Sequence, residues 1–387
     1  MTAPEVLVVG AGPHALTAAC YLLAADPSLA GRIAVADPRP WLSAWDARFA
    51  ALELASLRSA CVHHPHPRPY ALVEWAERVG RREQFSGPLS APAAGVFADF
   101  CRVLVDASDL AAARLPQQVR ALHPRDDGRV DVQLTDGALV AGAVVLATGG
   151  ARPHAPVTGG RHSEAVDLSV VRPGDDVVVV GGGLTAAHLA LRAAARGADV
   201  VLLTRAPLRP RIMDVEAGWL GADLPDFFVQ PPADRARLVR DARPGTVPEP
   251  VCAALHDHPR VRLAVADVLR AVPGGVELTD GRTLDADHVW LGTGYSHDVR
   301  TDPLTAGLLA EAPVEVVAGL PVLAPDLSWG GTSVFLSGGR TALGIGPAAR
   351  SLAGARMAAE RYTAALTGVE PGRRQYPVPD VLTGAGR

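Results

Sequence analysis

Two short apolar runs in the chain lead into the same kind of glycine turn. Residues 6–9 precede Gly-x-Gly-x-x-Ala at 10–15, and residues 177–180 precede the same pattern at 181–186. Each stretch predicts a buried strand, a tight turn and a helix, with the pyrophosphate of a dinucleotide on the helix N-terminus. The predicted contacts are Gly10, Gly12, Pro13 and Ala15 in the first turn, and Gly181, Gly183 and Ala186 in the second.

The alternation of apolar and polar residues also repeats downstream of each turn. Residues 130–137 alternate, turn at Asp-Gly and return as 143–149, and residues 276–281 and 287–294 repeat the series. Each series predicts a hairpin that feeds a buried strand ending in Thr-Gly. Because the whole order recurs, it is stronger support for a duplicated unit than a lone glycine motif. We assign these closing residues to cofactor binding: Thr148, Gly149, Thr293 and Gly294.

The strand that follows each turn predicts which nucleotide binds there. Residues 33–36 end at Asp37, whose carboxylate would accept hydrogen bonds from a ribose hydroxyl and repel a 2′-phosphate, so FAD fits and NAD would also fit. Residues 200–204 end at Arg205, with Arg209 close behind, and arginine pairs with phosphate, which favours NADPH. For Arg209, a solvated basic loop remains an equal alternative.

These patterns predict an α/β protein with two Rossmann-like dinucleotide-binding domains and a glutathione-reductase-like architecture. We expect an FAD-binding domain at 1–160 and 320–368, an NAD(P)H-binding domain at 165–315 inserted in it, and a loosely ordered tail at 369–387. An apolar run at 334–338 would return the chain to the first domain. A helix from about 348 to 365 would follow, begun by a proline at its first position.

Composition narrows the class of protein. The chain has 387 residues, 48% of them hydrophobic, and a net charge of −4, with no basic block and no apolar run long enough to span a membrane. We therefore expect a cytoplasmic protein that binds neither nucleic acid nor a membrane. All 37 basic residues are arginine, so no lysine Schiff base can form. The four cysteines form neither a Cys-x-x-Cys pair nor a zinc spacing, so no metal site is expected.

Several motifs together resemble the class B flavoprotein monooxygenases, nearest the lysine and ornithine N-hydroxylases of siderophore pathways and short FAD/NAD(P)-binding relatives. The resemblance rests on residues 10–16, 57–65, 205–220, 287–295 and 346–354. It implies FAD and NADPH as cofactors, and a C4a-(hydro)peroxyflavin that oxygenates a small molecule with O₂. An amine or amino acid nitrogen is the expected target. We also assign to cofactor binding Trp45, Tyr295, Gly338, Gly346 and Ala348.

Three residues of the segment that the relatives place beside the flavin are candidates for catalysis. A neutral His63 or His64 could donate to or accept from the reacting groups at neutral pH, although the surrounding prolines are equally compatible with a surface loop. Arg58 could pair with a cofactor phosphate or a substrate carboxylate, or form a structural ion pair.

Three other functions remain open at this stage. The first is an NAD(P)H:acceptor reductase without a Cys-x-x-Cys disulfide, and the second is a Baeyer–Villiger or sulfur-oxidising monooxygenase. The third is a relative that binds nucleotide without catalysis. The sequence identifies neither the substrate nor the oligomeric state, and a homo-oligomer is compatible with it.

Overall fold

The computed structural model describes residues 3–149 and 152–369, and beyond residue 369 the predicted tail lies outside the described residues. The apolar run 6–9 forms the middle strand of a five-stranded parallel sheet. Val6 and Val8 face the helices, whereas Leu7 and Val9 face a small antiparallel sheet, so both faces are buried. In spatial order the strands are Val334–Leu336, Ala143–Leu146, Val6–Val9, Ile33–Ala36 and Arg114–Leu115.

The second apolar run forms the middle strand of another five-stranded parallel sheet. Its neighbours are the strand after the second glycine-turn helix and the strand that closes the second repeat. In spatial order the strands are Arg161–His162, His288–Leu291, Asp176–Val180, Asp199–Thr204 and Val261–Val265. The prediction of an α/β fold with two Rossmann-like units is confirmed.

A three-stranded antiparallel sheet accompanies each parallel sheet. Glycine follows aspartate at both predicted turns, where Gly137 has φ +82° and Gly281 φ +85°, a backbone region that favours glycine. The prediction that residues 143–149 form the second strand of the hairpin is corrected. Residues 138–141 pair antiparallel with 130–133, and residues 143–146 belong to the parallel sheet. The antiparallel strands are Val119–Pro124, Val130–Leu134, Ala138–Ala141, Val268–Val272, Gly275–Leu278 and Thr283–Asp285.

The helices follow the two glycine turns and connect the strands. Within the described residues, no helix is both long and apolar enough to cross a membrane. In chain order the helices are Pro13–Ala25, Ser43–Ala51, Ala71–Arg78, Ala94–Ala107, Leu184–Ala195, Leu224–Phe228, Pro232–Asp241, Glu249–Asp257, Pro303–Glu311, Ala342–Ile345 and Leu352–Thr367.

The last helix starts later than predicted. Residues Pro347–Arg350 form a 3₁₀ turn, and the α-helix begins at Leu352 after Ser351, whose side chain accepts a hydrogen bond from the amide of Gly354 at 3.3 Å. The α-helix is thus preceded by a capping serine, Ser351, and does not begin at Pro347 as predicted. The helix packs against Pro13–Ala25 and so returns the C-terminal segment to the first sheet.

Short strand pairs complete the connections. The strand Arg152–Pro153 pairs with Tyr295–Ser296, so the segment that leaves the first unit lies against the segment that leaves the second. The other two pairs are Phe85–Ser86 with Ala91–Pro92, and Val316–Val317 with Leu320–Pro321.

Candidate functional site

The two glycine turns have the same geometry. Gly10 has φ +112° and Gly181 has φ +145°, a region of the backbone that L-residues rarely adopt. Ala15 and Ala186, the third small residues, are fully buried between helix and strand. Each turn therefore needs its first glycine for conformation and its third residue for close packing.

The second glycine of each turn faces open space. A Cβ atom added to Gly12 or Gly183 would have no heavy atom within 4 Å, so neither glycine is required by packing. The two helices that begin there, Pro13–Ala25 and Leu184–Ala195, have no side chain capping their first amides. Unpaired amides beside open space fit an anionic pyrophosphate, and a side chain would fill that space.

A cavity of about 750 Å³ lies between the two parallel sheets and reaches both turns. Its walls contain backbone and side chains from the start of both glycine-turn helices and from the segment 45–63. The predicted site residues that line it are Pro13, Trp45, Arg58, His63, Gly181, Gly183, Arg205, Thr293, Gly294 and Tyr295.

The other predicted site residues lie outside the cavity wall. Among them, Asp37 ends its strand as predicted, with its carboxylate accepting from the amides of Ala11 at 3.0 Å and Arg39 at 2.8 Å. The remaining residues of this group are Gly10, Gly12, Ala15, His64, Thr148, Gly149, Ala186, Arg209, Gly338, Gly346 and Ala348.

The prediction of a catalytic His64 is corrected by its position. Its side chain is fully buried, and its Nε2 lies 2.9 Å from the carbonyl oxygen of Pro69. The guanidinium of Arg356 donates to the carbonyl oxygen of His64 itself at 3.0 Å. Burial holds the pKa of His64 well below its usual range, so the ring is neutral and sealed inside the protein.

His63, by contrast, faces the cavity. Burial and then the charge of Arg356 lower the pKa of His63, so the imidazole is neutral at neutral pH. A neutral imidazole can both donate and accept a proton. The expected chemistry of His63 is therefore compatible with its position.

The guanidinium of Arg58 is occupied by the protein. It makes five hydrogen bonds, to the carbonyl oxygens of Arg211, Ile212, Met213 and Thr246 and to the Thr246 hydroxyl, at 2.7–3.0 Å. All three of its nitrogens are thereby engaged. The prediction of a catalytic or ligand-binding Arg58 is corrected on this ground, because the geometry makes it an anchor for the loops at 211–213 and 246.

The two arginines predicted to recognise a phosphate differ in position. Arg205 follows the strand Asp199–Thr204 directly, lines the cavity and is exposed, with no hydrogen bond or ion pair to another described residue. Arg209 lies outside the cavity wall, and its carbonyl oxygen accepts from the amide of Val247 at 3.1 Å. The position of Arg205 fits the predicted role better than that of Arg209.

Sequence reasoning missed several cavity residues, among them one histidine and three arginines. His14 sits inside the first glycine turn, where its Nδ1 lies 3.1 Å from the Ser337 hydroxyl, and burial lowers its pKa to about 4. The other three are Arg48, Arg243 and Arg350. The turn motif contains His14 and could have suggested it, whereas no local signal marks the arginines.

Comparisons with known proteins agree with this architecture. Residues 4–218 match the family model described as "Pyridine nucleotide-disulphide oxidoreductase". No curated protein matches the chain.

Among solved structures, the chain is similar to the ornithine N-hydroxylase of Kutzneria sp. 744, with 19% identity and a TM-score of 0.73 over 94% of this chain and 99% of that one. L-lysine 6-monooxygenase from Pseudomonas syringae is 18% identical, with a TM-score of 0.75 over 94% and 99% of the two chains. The bacillithiol disulfide reductase of Bacillus cereus is also 18% identical, with a TM-score of 0.62 over 95% and 99%. At these identities the likeness concerns the fold.

Proposed function

We propose that this chain, which belongs to the pyridine nucleotide-disulphide oxidoreductase family, is an NADPH-dependent FAD monooxygenase that oxygenates a small molecule. The observation that carries the proposal is that both glycine turns reach one cavity. Pro13 and His14 of the first turn and Gly181 to Gly183 of the second line the same space. Two dinucleotides held there would meet at their reactive ends.

The first turn and its sheet fit FAD. The open space at Gly12 and the uncapped helix start suit the pyrophosphate, and the Asp37 carboxylate retains lone pairs for a ribose hydroxyl. The FAD-binding domain would comprise 1–160 and 320–368, as expected from the sequence. When bound, FAD supplies the capacity to accept a hydride and to activate O₂.

The second turn and its sheet fit NADPH. The open space at Gly183 suits the pyrophosphate, and the unpaired Arg205 guanidinium, at the end of the next strand, suits a 2′-phosphate. Residues 165–315 would thus form the NADPH-binding domain.

The chain itself would control protons and water in the cavity. The neutral imidazole of His63 can hold or release a proton at the cavity wall. Trp45 stacks on Phe49 with ring centroids 3.8 Å apart, and both rings line the cavity. Apolar walls of this kind exclude water, which favours transfer of oxygen to the organic molecule over loss as hydrogen peroxide.

A reductase that acts on disulfides is the second candidate, because one similar structure is a disulfide reductase. The positions of the four cysteines disfavour a disulfide reductase. Cys20, Cys101 and Cys252 are buried, Cys61 is half-buried, and none of the four lines the cavity described above. An amine or amino acid nitrogen is the favoured target, since two similar structures are enzymes named for ornithine and lysine.

The test is to purify the protein with bound flavin, reduce it with NADPH and mix it with isotopically labelled O₂. Amines, amino acids, thioethers and ketones serve as trial substrates. Labelled oxygen in a product, formed in proportion to NADPH consumed, is the expected result. Stoichiometric hydrogen peroxide with every substrate, together with turnover of a disulfide, would favour the reductase. A preparation that takes up no added FAD would refute the flavoprotein proposal.

A further inference from the structure

The charged side chains of the cavity wall are unevenly distributed. Five arginines line it, but only two carboxylates do. The arginines are Arg48, Arg58, Arg205, Arg243 and Arg350, and the carboxylates are Asp214 and Asp267. An excess of cations favours anionic ligands, so the question is which guanidinium groups are available to bind one.

Two of the five arginines are committed to the protein. Arg58 donates to loop carbonyls as described above. Arg243 forms an ion pair with Asp214 at 2.5 Å and donates to the carbonyl oxygen of Pro347 at 2.8 Å. These contacts neutralise Asp214 and leave neither guanidinium as the first partner for a ligand.

Arg205 and Asp267 lie together at the second sheet. Asp267 follows Ala266, whose amide donates to the carbonyl oxygen of Thr204 at 2.9 Å, and Arg205 is the next residue after Thr204. Arg205 and Asp267 therefore both lie at the end of the cavity that was assigned above to NADPH.

The two remaining arginines of the cavity wall are Arg48 and Arg350. The guanidinium carbon of Arg48 lies 4.5 Å from the centroid of the Tyr295 ring, which is not an anion. Arg350 has no hydrogen bond or ion pair from its guanidinium to any described residue, although it lines the cavity. Arg350 is exposed to the cavity, and desolvation by the surrounding protein and the charges of Arg243 and Arg48 lower its pKa, opposed by the charge of Asp214. At neutral pH it remains charged, and no carboxylate of the described residues forms an ion pair with it.

We propose that Arg48 and Arg350 form a binding site for the anionic group of a small organic substrate. The inference rests on the monooxygenase function proposed above and narrows its substrate class to organic anions such as carboxylates. Asp214, the carboxylate whose charge acts on Arg350, is paired with Arg243. At this end of the cavity the described lining residues therefore offer no unpaired carboxylate to a dication, since Asp267 lies at the other end, and a diamine would meet two positive charges.

The experiment measures binding to the flavin-loaded protein by titration calorimetry with three probes: hexanoate, cadaverine and NADP⁺. Hexanoate should bind and cadaverine should not. Arg350→Met, which removes the charge but keeps the length, should weaken hexanoate at least about tenfold, the loss expected for a charged hydrogen bond. Arg350→Lys should restore part of the affinity. The matched control is Arg262→Met, an exposed arginine outside the cavity, which should leave all three affinities unchanged.

The alternative source of the anion is the cofactor, and the same titrations separate it. Arg350→Met should change the Kd of NADP⁺ far less than that of hexanoate, and Arg205→Met should do the reverse. Tight cadaverine binding, equal hexanoate binding by wild type and Arg350→Met, or loss of FAD or NADP⁺ affinity in Arg350→Met would overturn the proposal. Hexanoate binding does not require oxygenation. A positive titration without labelled product would therefore show that the monooxygenase function fails while the anion site stands.

Discussion

A Cβ atom added to Gly10 would lie 2.6 Å from the carbonyl oxygen of Ala147, directly after the neighbouring strand Ala143–Leu146. No real side chain tolerates that separation, and the φ of Gly10, +112°, is unfavourable to L-residues in any case. In the second unit, a Cβ on Gly181 would lie 2.4 Å from the carbonyl oxygen of Gly292. The same close approach of turn and strand thus recurs in both units.

Gly10→Ala and Gly12→Ala are therefore expected to differ in kind. Gly10→Ala should lower the free energy of unfolding by about 2 kcal/mol or more through strain and overlap. Gly12→Ala, at φ −91° beside open space, should cost about 1 kcal/mol at most but should lower retention of FAD. Urea unfolding of the flavin-free variants and FAD titration measure the two effects. Normal FAD affinity in Gly12→Ala would remove this turn from the pyrophosphate site.

Arg205→Ala should raise the KM for NADPH by about tenfold or more and leave the KM for NADH nearly unchanged, because only NADPH carries the 2′-phosphate. Initial rates with both nucleotides give the comparison. Arg209→Ala is the matched control, since Arg209 follows the same strand but lies outside the cavity wall. Equal effects of Arg205→Ala on the two nucleotides would show that Arg205 does not contact the phosphate.

Arg58→Met should lower the free energy of unfolding by about 2–3 kcal/mol, since it leaves several partly buried carbonyl oxygens without donors. Arg58→Lys should recover little, because one ammonium group cannot reach the same set of acceptors. Thermal unfolding measures the change. An unchanged Tm combined with loss of turnover would instead restore a direct catalytic role for Arg58.

His63→Gln and His64→Gln separate the two adjacent histidines. His63→Gln should change the pH profile or the coupling of NADPH use to product and leave stability nearly unchanged, because His63 faces the cavity. His64→Gln should lower stability by about 1–3 kcal/mol, because His64 is fully buried and bonded to the Pro69 carbonyl. Steady-state kinetics and urea unfolding of both variants test the contrast. If His63→Gln lowered stability and His64→Gln changed only the kinetics, the cavity role would belong to His64 and the structural role to His63.

Acid should destabilise the protein through its buried histidines. Burial lowers the pKa of His66 to about 4 from the ordinary 6.5, so the unfolded chain takes up a proton before the folded one does. The free energy of unfolding should thus fall as pH falls from about 6.5 towards 4, by at most about 1.4 kcal/mol per pH unit for this group. His66→Gln should reduce that slope, measured by urea unfolding at a series of pH values. An identical slope in the variant would show that His66 does not contribute.

The sequence by itself determined the two strand–turn–helix units, the Asp-Gly hairpins and the acidic and basic ends of the second strands. These features are local. A positive φ needs glycine, a buried parallel strand needs a run of apolar residues, and a hairpin needs its turn, so each leaves a mark within a few residues. Gly10, Asp37 and Arg205 were predicted as cofactor-binding residues on that basis.

Tertiary structure decided what the catalytic candidates do. His63 and His64 are neighbours with the same side chain, yet one faces the cavity and the other is sealed beneath it. Arg58 is satisfied by carbonyl groups more than 150 residues away, whereas the guanidinium of Arg350, in the same cavity, has no acceptor among the described residues. Partners and desolvation come from the packing of distant elements, and they set both the charge of a side chain and whether a ligand can reach it. A sequence pattern shows neither the charge of a side chain nor its accessibility to a ligand.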